Sequence, residues 1–143
     1  IDELGFRNQN GSEYDFFYLP MDFKHDCNLG YAFINFTSAD AARRFRNVMT
    51  SYRFTRFRSK KIVTVSPAIV QGAPGNLRKL LKASGRRVGN PAYRPLWFER
   101  GVGISLDRDA VIHLLSTRFG EDVEPAKVKE GDGNGTRCGL EFT

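Results

Sequence analysis

The chain is poor in the residues that most chemistry and most membranes require. Of its 143 residues only two are cysteine, two histidine and one tryptophan, and no apolar run reaches membrane-spanning length. The missing run excludes a helical membrane span. Cys27 and Cys138 are too few for a disulfide framework, and no signal peptide opens the chain, so both thiols are expected to stay reduced in a nuclear or cytoplasmic setting. The first residue is Ile1 rather than Met, which reads as a processed or excised chain. His25 and His113 have no nucleophile or acid at motif spacing, so no catalytic set assembles and no enzyme is expected. His25 and Cys27 alternate in a loop, but two ligands do not make a zinc site, and no cofactor is expected.

Acidic residues are also missing where they matter. From Arg43 to Lys61 the chain carries Arg43, Arg44, Arg46, Arg53, Arg56, Arg58, Lys60 and Lys61 without one carboxylate. Residues 1–101 hold 17 basic and 8 acidic side chains, whereas residues 102–143 hold 5 and 8. A basic body (1–101) followed by an acidic tail (102–143) suggests a polyanionic partner for the body alone.

Patterning then gives the elements. Ile1 to Leu4 reads as a last helical turn stopped by Gly5, and Asn8 to Ser12 as a turn. Tyr14 to Leu19 is aromatic, β-prone and ended by Pro20, hence a strand. Met21 to Asn28 reads as a polar loop. Ser38 begins a capped amphipathic helix that runs to Thr50, with Ala41, Ala42, Phe45, Val48 and Met49 at helical spacing. Lys61 to Ser66 reads as a strand, Val63 and Val65 inward, Thr64 and Ser66 outward. Asn76 to Ala83 and Asp107 to Phe119 read as helices, the latter stopped by Gly120.

The most informative segment is Leu29-Gly30-Tyr31-Ala32-Phe33-Ile34-Asn35-Phe36. As a strand it puts Ala32, Ile34 and Phe36 on one face, and Leu29, Tyr31, Phe33 and Asn35 on the other. The first set reads as core. The second sets two aromatic rings and an amide where a half-buried strand normally meets water. The octapeptide departs from the RNA-stacking signature Lys/Arg-Gly-aromatic-Gly/Ala-Phe-Val-x-aromatic only at Leu29 and Ile34.

Four blocks, YDFFYLPMDFK from Tyr14, NLGYAFINF from Asn28, AIVQG from Ala68 and RPLWF from Arg94, together resemble the C-terminal RNA recognition motif of the Mei-two-like proteins of eukaryotes. The resemblance covers about residues 1–98. It implies an α+β, ferredoxin-like βαββαβ fold, its antiparallel sheet packed on helices, whose opening strand is expected upstream of Ile1, plus a C-terminal extension that folds onto the domain. It also implies sequence-selective binding of single-stranded RNA and a role in meiotic or developmental RNA regulation.

Tyr31 and Phe33 match the two stacking positions of that family; the alternative for both is packing beneath a loop or C-terminal helix. Asn35 suits a base edge. Phe17 extends the platform if it shares a face with Asp15, and is core otherwise. Lys24, Arg56, Arg58, Lys60 and Lys61 are phosphate candidates, and Thr64 and Ser66 lie on the outward face of their strand. Phe54, Phe57, Tyr93, Trp97 and Phe98 read as core or C-terminal packing.

In the tail, Glu130, Asp132, Asn134, Thr136 and Glu141 sit at the ligand spacing of a calcium loop. Glu130 stands where Asp is usual, however, and a Gly-rich flexible end is the favoured reading. The leading expectation is a monomeric, non-enzymatic RNA-binding module. Its rivals are a protein-interaction module using the helix from Ser38 to Thr50 or the tail, and a fusion to a calcium-binding tail.

Overall fold

The computed structural model describes residues 1–8, 10–50, 52–53, 60–83 and 90–123. The chain enters through a turn of 3-10 helix, Asp2–Leu4, ended by Gly5. Strands Arg7–Asn8 (β1) and Gly11–Ser12 (β2) form a small hairpin. Tyr14–Tyr18 (β3) leads through a second hairpin, Met21–Asp22 (β4) with Cys27–Asn28 (β5), to Phe33–Phe36 (β6). Ala39–Met49 (α1) and Ala73–Lys82 (α2) follow. Leu96–Glu99 (β7), Val102–Ser105 (β8) and Arg108–Phe119 (α3) complete the described fold.

The main sheet has strand order β6-β3-β7-β8 and is antiparallel throughout. Phe17 faces Ile34 and Tyr18 faces Phe33 across one ladder, and Phe16 faces Trp97 across the next. A register shift between Tyr14 and Phe16 frees Asp15 from regular pairing. This is the α+β, antiparallel arrangement that the sequence implies.

Helices cover both sheet faces. On one, α1 sets Phe45 and Met49 against Phe6, Tyr14, Ile34 and Phe98, with Phe17 and Phe36 partly buried beside them. On the other, α2 and α3 pack together over Phe16, Phe33, Trp97 and Leu106. Leu77 of α2 and Leu115 of α3 are 0 % exposed, and burying each side chain stabilises the fold by about 1.5–3 kcal/mol.

Local signals set the helix ends. The Ser38 hydroxyl accepts from the Ala41 amide at 3.1 Å, and the Asp107 carboxylate accepts from the Ala110 amide at 2.8 Å, each satisfying a donor that the helix leaves orphaned. Gly120, at φ 63°, closes α3 in the left-handed region. α2 begins at Ala73 rather than at Asn76, because Pro74 is tolerated in a first turn, where its missing N–H has no intrahelical partner.

Three expectations are corrected. Residues 61–66 do not form a strand: one bridge joins Arg53 to Ile62, and Val63 donates to the Tyr52 carbonyl at 2.9 Å. The alternation survives, with Val63 and Val65 turned partly into the core, but alternation becomes a strand only where a neighbour supplies a ladder. Residues 21–28 form a hairpin, not a loop. The division at residue 101 falls inside the β7–β8 turn, and α3 contributes Val111, Leu114 and Leu115 to the same core as β3 and β6.

The N-terminal segment is clasped to that turn. Arg7 is paired with Asp2, donates to the Gly101 carbonyl at 3.0 Å, and lies 5.0 Å above the Phe98 ring. Gly101 has φ 79°, and a Cβ there would stand 2.9 Å from the Asn8 carbonyl oxygen, so glycine is required on both counts.

Candidate nucleic-acid interface

The sequence puts its aromatic platform on the octapeptide face. β6 starts only at Phe33, and Phe33 is 7 % exposed, within the core beneath α2 and α3. Its ring is stacked 6.4 Å from Tyr18 and meets Tyr31 edge-on at 5.8 Å. Tyr31 is half-buried against the same cluster. The expected open platform is therefore corrected: the Phe33 ring is not available to a base here, and the alternative of packing beneath a C-terminal helix describes the geometry. The opposite face is core, as alternation implies: Ile34 is 2 % exposed beneath α1. Both faces are core because two further apolar helices need a sheet to cover.

Asn35 is 9 % exposed and donates through Nδ2 to the Asp15 carboxylate at 2.8 Å, so its amide is spent inside the protein. Burial pushes the Asp15 carboxyl above its ordinary value, and the Asn35 hydrogen bond offsets part of that rise. Phe17 does not share the face of Asp15 and Phe33. It pairs with Ile34 and packs toward α1, which settles it as a core residue. Trp97 and Phe98 are buried as expected, on opposite faces. Trp97 Nε1 donates to Glu99 at 3.2 Å, and Glu99 holds Arg118 of α3 at 2.7 Å, stitching the helix to the sheet.

The basic candidates are scattered. Lys24 is exposed in the β4–β5 turn; Lys60, Lys61 and Thr64 are exposed, and Ser66 is half-buried. Arg56 and Arg58 lie outside the described residues, as do Phe54, Phe57 and the calcium-loop candidates Glu130, Asp132, Asn134, Thr136 and Glu141. On α1, Arg43 pairs with Asp40 and Arg44 with Glu13, while Ala41, Phe45 and Met49 face the core. Among the described residues no cluster of three or more metal-ligating side chains occurs, and no helix is long and apolar enough to cross a membrane.

The residue that patterning passed over is Phe23. It stands in the β4–β5 turn, 53 % exposed, with its centroid 6.1 Å from that of Tyr93. The available signal was a phenylalanine amid Asp22, Lys24, His25 and Asp26, where nothing local would bury it.

A family model described as RNA recognition motif 2 matches residues 3–81, more than half of the chain. The chain belongs to that family. Among curated relatives, Protein MEI2-like 6 of Oryza sativa subsp. japonica is 42 % identical over 95 residues, which are 66 % of this chain and 29 % of that protein. Protein terminal ear1 homolog of Oryza sativa subsp. indica is 40 % identical over 87 residues, 61 % of this chain and 13 % of its own. Meiosis protein mei2 of Schizosaccharomyces pombe is 39 % identical over 89 residues, 62 % and 12 % respectively. This RNA recognition motif is thus Mei2-like, and it spans under a third of the length of each of these relatives. β7, β8 and α3 lie beyond the matched residues 3–81.

Proposed function

We propose that this domain binds single-stranded RNA without catalysing a reaction on it, as part of a regulator of meiotic or developmental RNAs acting in the nucleus or cytoplasm. The observation that carries the reading is the family match across residues 3–81, which includes the whole octapeptide. The basic balance of residues 1–101 supports it, since counterion release from phosphates drives sequence-independent affinity. The names of two relatives, one a meiosis protein and one a terminal ear homolog, support the regulatory setting.

With Phe33 and Asn35 engaged internally, the contacts fall to side chains at the surface. Lys24, Lys60 and Lys61 hold phosphates, Thr64 offers a hydroxyl beside them, and the half-exposed ring of Tyr31 meets a base at the rim of the covered face. Fluorescence anisotropy with a labelled mixed-sequence single-stranded 20-mer tests this. Binding with an inverse dependence of log affinity on log salt is expected, and a flat salt slope or no binding overturns it. Retrieval of partners with and without ribonuclease separates the RNA reading from a protein-docking role.

A further inference from the structure

We infer that Phe23, braced by Tyr93, is a ring on which this domain stacks a nucleobase, at a stacking position that the octapeptide signature does not contain. The inference rests on the RNA-binding reading and gives it a location.

Among the described residues Phe23 is the one exposed phenylalanine or tryptophan, and its neighbours make a surface rather than a stray contact. Met21, Asp22, Phe23, Lys24 and Leu29 line a shallow hollow of about 440 Å³, ample for a base. Tyr93 touches Phe23 at an interplanar angle of 59°, which restrains the ring and leaves the rest of it to solvent. A stacking ring held in place before binding loses less side-chain freedom on complex formation.

The turn that presents the ring is held by its own hydrogen bonds. The Asp22 carboxylate accepts from the backbone amides of Lys24 and His25 at 3.0 and 3.3 Å, and its second oxygen lies 2.7 Å from His25 Nδ1. These bonds hold the Asp22 carboxyl below its ordinary value and occupy its charge. Leu29 donates its amide to the Pro20 carbonyl at 3.0 Å, which ties the octapeptide's first residue to the far side of the hairpin.

One feature points to a nucleic-acid occupant rather than an apolar peptide. Lys24 is exposed and lines the same hollow as the ring, which suits one nucleotide: base on the ring, phosphate at the cation. Leu29 occupies the signature's basic position, is exposed, and lines the same hollow. That exchange trades a phosphate contact for apolar surface under a base or sugar, which a domain stacking at this spot gains from. Tyr93 lies outside the matched residues 3–81, so the C-terminal extension supplies part of the site.

The test uses the full chain with two labelled probes of equal length, a mixed-sequence single-stranded RNA 20-mer and an abasic 20-mer. Phe23→Ala is expected to weaken binding of the RNA by about 5- to 100-fold while leaving the abasic strand within about twofold. Phe23→Trp keeps wild-type affinity, and Tyr93→Ala gives a smaller loss, about 2- to 5-fold, because the ring loses its brace and not its face. Equal RNA affinity of Phe23→Ala and wild type overturns the platform while RNA binding stands. Equal loss on both probes also overturns it, since the ring would then support charge contacts and not stacking. Wild-type protein that binds neither probe removes the RNA reading itself.

Discussion

The two faces of the sheet carry the same kind of side chain and were expected to have opposite fates. Ile34 and Phe36 lie toward α1; Phe33 and its neighbours Tyr18 and Phe16 lie toward α2 and α3. Strand alternation separates the two sets correctly, yet it cannot say that the second is meant for water. Both faces are core, and the most exposed phenylalanine among the described residues stands in the β4–β5 turn, outside the main sheet. Alternation reports which side chains share a face. The fate of a face depends on whether another element comes to cover it, and that element here lies far along the chain.

The sharpest way to break this comparison is Phe33→Ala. A ring on an open platform would cost little to remove, within about 0.5 kcal/mol, whereas a ring in a packed core costs about 3–5 kcal/mol. Denaturant unfolding is expected to show the larger loss. Next comes Leu115→Ala, which attacks the cover and not the covered: removing a side chain of 0 % exposure is expected to cost about 2–5 kcal/mol and to increase the exposure of Trp97 to quenchers of fluorescence. No such cost would mean that α3 rests on the sheet without packing into it.

Smaller effects sharpen the same contrast at the helix ends. Ser38→Ala on the α1 side and Asp107→Ala on the α3 side each remove one capping acceptor and are expected to cost about 1 kcal/mol apiece by thermal or chemical melting. Comparable losses would show that both covering layers are equally part of one cooperative unit. The smallest effect concerns Asp15. Burial raises its folded-state pKa above the ordinary 3.8, so its contribution to stability is fully present below that value and is lost as pH rises through the raised one. Asp15→Asn, which can still receive the Asn35 hydrogen bond, is expected to flatten the decline of stability across that window in an acid titration of the unfolding midpoint.

Much of this was legible in the residues themselves. The start of α1 near Ser38, the span of α3 from near Asp107, its stop at Gly120 and strand β3 follow from local chemistry and appear within a residue or so of where the sequence puts them. What local chemistry cannot supply is a neighbour. Residues 61–66 alternate as a strand should, but receive a single bridge. The apolar stripes of Leu77, Leu80 and Leu81, and of Val111, Leu114 and Leu115, announced two helices in need of a surface. The aromatic sheet face was the surface still unclaimed, and setting those two facts side by side would have found the cover. Phe23 escaped for the opposite reason: a polar setting makes a turn residue look incidental, and only its contact with Tyr93, some seventy residues later, gives it company.

The grip of Arg7 on the Gly101 carbonyl has a practical consequence for anyone who trims this protein. The family model's match stops at residue 81, and an expression fragment ended there would discard two of the four strands of the main sheet, together with Trp97, Phe98 and Leu115. β3 would become an edge strand, with Phe16 stripped of its Trp97 partner and Tyr14 of the Phe98 ring. Sound boundaries for a minimal piece are drawn by this clasp between the first ten residues and the last hairpin, and not by where the family model's match ends.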